Sequence, residues 1–268
     1  MTQPLAGLRV VAPITSERSA IADRIEAAGA LVTRVEAIDF APTSNPARLE
    51  QAATEWSVGA YRWLAITSRV GVKAFAESAR AAGVDLGARP SGSLVAAVGA
   101  ATAEALAEVG LIADLVPEGA ADAVLMVAAF PAGPGRVLAP LGSLAAPTLP
   151  EGLRQKGWEV DVVEAYLTID GPPLDPAVIA AVESGEVDVI ALTSGSVATR
   201  LAHAIRVIPP EVAVVAIGAT CARRARELGL EVAAVAAEPS PAGMVEAIKV
   251  ATATGTRSAT TATHEERS

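Results

Sequence analysis

The sequence predicts an α/β protein with parallel sheets, built twice. Three observations carry this. Short apolar runs of Val, Ile, Leu and Ala alternate with Ala/Glu/Arg-rich helical segments along most of the 268 residues, the pattern of strands buried on both faces and joined by crossover helices. Hydrophobic residues make up 51% of the chain but aromatic residues only 3%, so the cores are aliphatic and an aromatic-rich β-sandwich is disfavoured. The chain also repeats itself. Arg9-Val10-Val11-Ala12-Pro13-Ile14 returns as Arg136-Val137-Leu138-Ala139-Pro140-Leu141, and Ala28-Gly29 with Val35-Glu36-Ala37-Ile38 as Lys156-Gly157 with Val163-Glu164-Ala165-Tyr166. Ile66-Thr67-Ser68 returns as Leu192-Thr193-Ser194, and Val98-Gly99-Ala100 as Ile217-Gly218-Ala219. Four correspondences in the same order describe two copies of one α/β unit of about 120 residues, an ordinary domain size.

In chain order, the buried run at 10–12 is a strand, and Ser16 or Ser19 caps a helix that Gly29 ends after Ala28. The run at 31–35 is the next strand, and 40–45, with Pro42 and Pro46, reads as a linker. A strand at 63–67 leads into a helix at 70–82 ended by Gly83; a strand at 94–98 leads into a helix at 101–109 ended by Gly110. An edge strand is expected at 112–116 and a helix at 121–129. The second copy opens at Gly135 with a strand at 137–139, a helix at 149–156 and a strand at 160–165. A second linker follows, running into Gly171-Pro172-Pro173. Strands at 187–193, 212–217 and 232–236 alternate with helices at 196–205, 220–228 and 242–250, and the Thr/Ala/Ser-rich stretch 251–268 reads as a disordered tail.

The two linkers fall inside the repeat rather than between its copies. The expected domains are therefore 1–38 plus 171–250 for one, discontinuous, and 39–166 for the other, inserted, with 167–170 as linker. Two neighbouring crossings make a hinge over a cleft.

Composition excludes several chemistries. A net charge of −9 disfavours nucleic acid and acidic membranes as partners. A single cysteine, Cys221, allows no internal disulfide and no thiolate zinc cluster. The two histidines are His203, read as structural on a helix, and His264 in the tail. No secretory leader pattern and no 18-residue apolar span stands out, so the chain reads as soluble and cytoplasmic. No dinucleotide fingerprint, Walker sequence or GxSxG elbow is present.

Candidate chemistry lies in five turns that place hydroxyl or glycine residues after a buried strand and before a helix: Thr15-Ser16, Thr67-Ser68, Gly99 to Thr102, Thr193 to Ser196, and Gly218 to Thr220. Such turns lie at the carboxyl edge of a parallel sheet, where ligands bind, and each offers the free N–H groups of a helix start to an anion. Each residue also serves as an ordinary helix cap; the recurrence in both copies distinguishes them. Tyr166 stands at a strand end by the domain crossing, where its phenol can reach the cleft. Arg69, Arg136 and Arg200 are candidate carboxylate partners, and Asp188 and Glu164 read as solvated strand ends.

These segments together resemble the uroporphyrinogen-III synthase family over essentially 1–250. The resemblance is carried by Ile66-Thr67-Ser68 with Gly71, Val72 and Phe75; by Val98-Gly99-Ala100-Ala101-Thr102-Ala103 with Gly110; and by Gly135-Arg136-Val137-Leu138. It continues through Leu153 to Gly157, Val163 to Thr168, Leu192-Thr193-Ser194, Ile217-Gly218-Ala219-Thr220 with Gly229, and Pro239-Ser240-Pro241. It implies two flavodoxin-like domains joined by a two-stranded linker. It further implies a cofactor-free reaction in which linear hydroxymethylbilane loses water and closes to uroporphyrinogen III with inversion of the last ring, through an azafulvene and a spiro-pyrrolenine. Tyr166 is then the catalytic acid, and Ser68, Thr102, Arg136, Ser194, Ser196, Gly218, Thr220 and Cys221 bind substrate, with no metal. The expected state is a monomer receiving hydroxymethylbilane from its synthase. The chain differs from the family pattern at Ile14, where relatives often carry arginine, at Ala145-Ala146-Pro147, and at Cys221 in place of threonine. Two alternatives stand beside this reading: a non-catalytic tetrapyrrole- or anion-binding member of the same fold, and an α/β enzyme acting on a phosphorylated small molecule.

Overall fold

The computed structural model describes residues 3–14, 20–119 and 121–254. In chain order the elements are β1 (Arg9–Pro13), α1 (Ala20–Ala27), β2 (Leu31–Val35), β3 (Ile38–Pro42), α2 (Pro46–Ser57), β4 (Trp63–Ile66), α3 (Arg69–Ala81), β5 (Leu94–Ala97), α4 (Ala100–Glu108) and α5 (Ala123–Ala129). They continue with β6 (Arg136–Gly142), α6 (Thr148–Gln155), β7 (Glu159–Asp170), α7 (Pro176–Glu183), β8 (Val189–Leu192), α8 (Gly195–Ala204), β9 (Ala213–Ala216), α9 (Ala219–Glu227), β10 (Val232–Val235) and α10 (Pro241–Thr254).

The chain divides into two compact units. The split unit holds β1, α1 and β2 together with everything from Leu174 onward; the inserted unit is formed by Glu36–Pro173. In the split unit a five-stranded sheet runs β10-β9-β8-β1-β2, with every pairing parallel. Numbered along the chain, that is the 2-1-3-4-5 order of flavodoxin-like sheets. Its central strands β1 and β8 are buried along almost their whole length, whereas the edge strands β2 and β10 show exposed positions. Burial on both faces is why β1 and β8 read as unbroken apolar runs.

The inserted unit repeats this order from a permuted chain. Its sheet runs β3-β7-β6-β4-β5, so β6 stands for β1, β7 for β2, β4 for β8 and β5 for β9. A single bridge between Ala96 and Leu115 occupies the place of β10. The strand expected at 112–116 is thus reduced to one pairing, while the Asp114 carboxylate accepts from Val95 N at 2.7 Å and from Arg89.

Both faces of this sheet are covered. Leu64, Ile66, Val95, Leu138 and Val163 pack with residues of α2, α3 and α4; the alternate positions Trp63, Ala65, Ala96, Val137 and Val160 pack with Met126, Phe130, Leu149 and Leu153 of the α5–α6 side. Period-two alternation produces the two cores.

The stretches read as linkers are ordered. Ile38–Pro42 pairs antiparallel with Tyr166 to Asp170, Ile38 opposite Asp170 and Pro42 opposite Tyr166. Residues 167–170 therefore complete β7 rather than forming a loop, because pairing satisfies backbone groups on both strands. Two helices also arise where the prolines suggest breaks. Asn45 and Asp175 cap α2 and α7, accepting from Arg48 N and Ala177 N, and the prolines that follow occupy the first helical turn, where a missing N–H costs nothing. Residues 251–254, expected in the tail, continue α10; residues 255–268 lie outside the described residues.

Candidate active site

In the inserted unit the carboxyl ends of β4 and β5 lead into α3 and α4. Ser68 caps α3: in extended conformation, its Oγ accepts the Gly71 N–H at 2.9 Å. The next turn is capped by no side chain, because Gly99 stands at the cap of α4; Thr102 is buried in that helix's first turn. Glycine is required at position 99 for space, since a Cβ there would lie 2.7 Å from that of Ala121.

Tyr166 enters this edge from β7. Strict alternation would put Tyr166 on the sheet face opposite Val163 and Ala165. The register between β6 and β7 shifts, however: Glu164 pairs with Leu141 and Tyr166 with Gly142, leaving Ala165 extra. A bulge of this kind re-aims the side chains that follow it, and the Tyr166 ring packs against the same core cluster as Val163 and Ala165. Three neighbours fix it there. Phe40 meets the ring edge-on with centroids 5.4 Å apart. Gly142 lies flat against it, so that a Cβ on Gly142 would sit 2.6 Å from the ring. The phenol oxygen lies 3.1 Å from Ser68 Oγ, its one hydrogen-bond partner among the described residues.

Beside the ring runs a groove of about 450 Å³ whose walls include Phe40, Pro42, Leu49, Val70, Lys73 and Tyr166. Its position is held by Glu164, whose carboxylate accepts from Ser44 N and Oγ at 2.8 Å and from Thr43 Oγ1 at 2.9 Å. These donors hold the Glu164 carboxyl below the usual glutamate range, the Ser44 backbone N–H contributing most. Glu164 is thus a structural anchor of the turn before α2, where the sequence suggested a solvated end.

In the split unit the corresponding edge carries Ser194, which caps α8 by accepting from Val197 N at 3.3 Å and lies 3.1 Å from Ser196 Oγ. Gly218 stands at the cap of α9 without a side-chain bond, and Thr220 is exposed on that helix's first turn. Cys221 faces inward: it is buried, its Sγ lies 3.7 Å from Leu192 O, and burial pushes its thiol up to about 11. Its geometry is that of a packing residue joining α9 to the end of β8. Thr15 and Ser16, and the expected cap Ser19, lie outside the described residues.

The structure sets Arg136 apart from these groups. As the first residue of β6 it stands at the opposite, amino edge of the sheet. There its guanidinium lies over the Tyr61 ring at 4.5 Å and within 3.6 Å of Asp161 and 3.7 Å of Glu159. Arg9 holds the same place in the split unit, where its backbone N–H donates to Asp188 at 2.7 Å, so Asp188 is no solvated end either. The doubled arginine marks strand starts, and a strand start cannot reach the carboxyl edge. Arg69 opens α3 next to Ser68, and Arg200 lies further along α8.

Sequence reasoning missed the polar cluster around Tyr61, whose phenol lies 2.7 Å from Glu55 and 2.5 Å from Asp161. Burial first, and then these two carboxylates, raise its pKa well above the tyrosine range. It also missed Gly142, although a glycine at a strand end signals a close approach. Among the described residues no group of His, Cys, Asp and Glu could hold a metal ion, and no helix is long and apolar enough to cross a membrane.

A sequence model described as uroporphyrinogen-III synthase HemD matches residues 19–246. The chain belongs to the uroporphyrinogen-III synthase family. A porphyrin biosynthesis protein HemD of Ruminiclostridium josui is 27% identical over 234 residues, covering 86% of this chain but 46% of its own length. The chain thus spans about half of that relative. Among solved structures, a mutant uroporphyrinogen III synthase of the extreme thermophile Thermus thermophilus matches with a TM-score of 0.68 at 22% identity, over 92% of this chain and all of the other. The uroporphyrinogen-III synthetase of Helicobacter pylori matches with a TM-score of 0.57 at 16% identity, over 89% and 97%. At such identities these two likenesses speak for the fold: two flavodoxin-like sheets of mainly parallel strands, as in uroporphyrinogen-III synthase structures.

Proposed function

We propose that the chain is an active uroporphyrinogen-III synthase. It takes hydroxymethylbilane, removes its terminal hydroxyl as water, and closes the tetrapyrrole with the last ring inverted. The observation that carries this reading is the placement of Tyr166: a phenol fixed by packing, with a single hydrogen-bond partner among the described residues, beside a groove in a protein of this family. Departure of hydroxide from the hydroxymethyl carbon needs a proton, and a positioned phenol can give one. The substrate's carboxylates meet a protein of net charge −9, so long-range attraction does not gather them. Local donors take that role. They are the first-turn amides at the carboxyl edge of each sheet: those of α3 and α4 in the inserted unit, and those of α8 and α9, with Ser194, Ser196, Gly218 and Thr220 beside them, in the split unit. Holding a flexible tetrapyrrole folded for the inverted closure, against the spontaneous one, is then largely a matter of orientation. In this reading the protein works as a cytoplasmic monomer supplied by hydroxymethylbilane synthase.

The test is to generate hydroxymethylbilane enzymatically in the presence of the protein, oxidise the products and resolve the isomers. Uroporphyrin III in excess of the spontaneous isomer I is expected. Isomer I alone, at the uncatalysed rate, overturns the reading, and binding of hydroxymethylbilane without isomer III would make the protein a tetrapyrrole-binding member of the family.

A further inference from the structure

Tyr166 cannot give up a proton without becoming a phenolate, and what surrounds that anion decides how well it forms. We infer that Ser68 is a positioning residue for this step, linking the Tyr166 oxygen to the amino end of α3. The inference rests on the reading of Tyr166 as the proton donor. Gly71 N–H donates to Ser68 Oγ at 2.9 Å, and Ser68 Oγ lies 3.1 Å from the phenol oxygen. A hydroxyl carries one proton and two acceptor sites. With Gly71 occupying one acceptor site, the Ser68 proton has one acceptor within reach among the described residues, the Tyr166 oxygen. Once ionised, the phenol can only accept, so the chain Gly71 N–H to Ser68 O–H to Tyr166 O⁻ has a single sense. A hydroxyl that already accepts a hydrogen bond is a stronger donor, and the partial positive charge at the start of a 13-residue helix favours the anion.

The step balances. The bond between the hydroxymethyl carbon and its oxygen breaks, with the electron pair staying on oxygen. That oxygen takes the Tyr166 proton and leaves as water. The phenolate, held by Ser68, is reprotonated by the proton that the pyrrole releases when the ring closes. Gly142 serves the same end by another route, leaving the ring room to lie where Ser68 can reach its oxygen.

The experiment must separate this role from capping, because Ser68→Ala removes both. Aspartate caps a helix as well as serine but has no proton to donate and adds a like charge beside the phenolate. The readouts are the melting temperature and the steady-state formation of uroporphyrinogen III with enzymatically supplied hydroxymethylbilane. Ser68→Ala is expected to lower kcat by about 10- to 100-fold with KM changed by no more than about twofold. Ser68→Asp should lower kcat at least as far while keeping the melting temperature, and Ser68→Thr should restore both. In a Tyr166→Phe background, Ser68→Ala should cost nothing further, since the oxygen it serves is gone. A Ser68→Asp variant with undiminished kcat overturns the proposal, as does a Ser68→Ala loss of equal size in the Tyr166→Phe background. If Tyr166→Phe by itself turns over at the full rate, the reading of Tyr166 fails and the proposal with it. A large Tyr166→Phe loss beside an unaffected Ser68→Asp removes Ser68 alone.

Discussion

The segment Val35-Glu36-Ala37-Ile38 repeats as Val163-Glu164-Ala165-Tyr166, yet β2 ends at its first residue, with Ile38 already opening β3, whereas β7 runs through all of it. Strand β2 pairs with β1 in unbroken register from Arg9 opposite Leu31 to Pro13 opposite Val35, and stops. Strand β7 follows β6 equally far, with Pro140 opposite Val163, and then bulges at Ala165 and runs on to Asp170. The extension gains β3 as a partner, a groove along α2 and α3, and a phenol where the other copy has Ile38. Two copies of one sheet can therefore share strand order and hydroxyl- or glycine-bearing turns while one alone acquires a phenol at the end of its extended strand. The difference lies in where the strand stops, not in the sheet.

The largest expected effect tests that asymmetry directly. Tyr166→Phe should lower kcat by about 10² to 10⁴, whereas Ile38→Val, its counterpart, should cost about 1 kcal/mol of stability and leave kcat alone. Comparable kcat losses in the two would dissolve the contrast. Next comes Gly142→Ala. Its methyl group must push the Tyr166 ring aside, and a displacement of about an ångström at a reacting group costs on the order of 100-fold in rate. An unchanged kcat in a variant with native circular dichroism would mean that the ring position is not critical.

A smaller and different effect is expected in the split unit. Ser194→Ala removes the α8 cap and about 1 kcal/mol of stability. In the proposed function it meets a substrate carboxylate in the ground state, so its loss should raise KM with kcat nearly unchanged; a fall in kcat with constant KM would assign that edge to the chemistry instead. The smallest effect concerns the turn that walls the groove. The folded state lowers the Glu164 pKa, so this carboxylate contributes stability at pH values above its unfolded pKa of about 4.3. That contribution is lost as the pH falls through the folded value. Glu164→Gln should therefore lower the urea midpoint at pH 7 more than at pH 3, and an equal loss at both would show that charge plays no part.

Much of the fold is legible in the residues, for reasons that can be named. Buried parallel strands are written as apolar runs, and the repeat shows how they correspond. Proline is where the reading fails. Pro46 looks like part of a linker and no helix is expected at Pro176, yet each of these prolines follows a capping Asn45 or Asp175 and opens a helix. Pro42 looks like linker, yet it pairs across from Tyr166 at the sheet edge, where a strand tolerates proline. At the site, Ser68 and Ser194 are legible as caps, whereas Arg136 misleads. Its type suits a carboxylate, but a strand's first residue lies at the wrong end of the sheet.

Composition, periodicity and internal repetition by themselves determined the α/β class, the doubled unit and the hydroxyl- and glycine-bearing turns, because those features are local or recur at fixed spacing. The meeting of Tyr166 with Ser68 and Gly142 was decided only in three dimensions. Alternation along β7 would turn the phenol to the other face, and the shifted pairing with β6 brings it back. A bulge reflects how two strands far apart in the chain fit together, and neither strand's sequence states it alone.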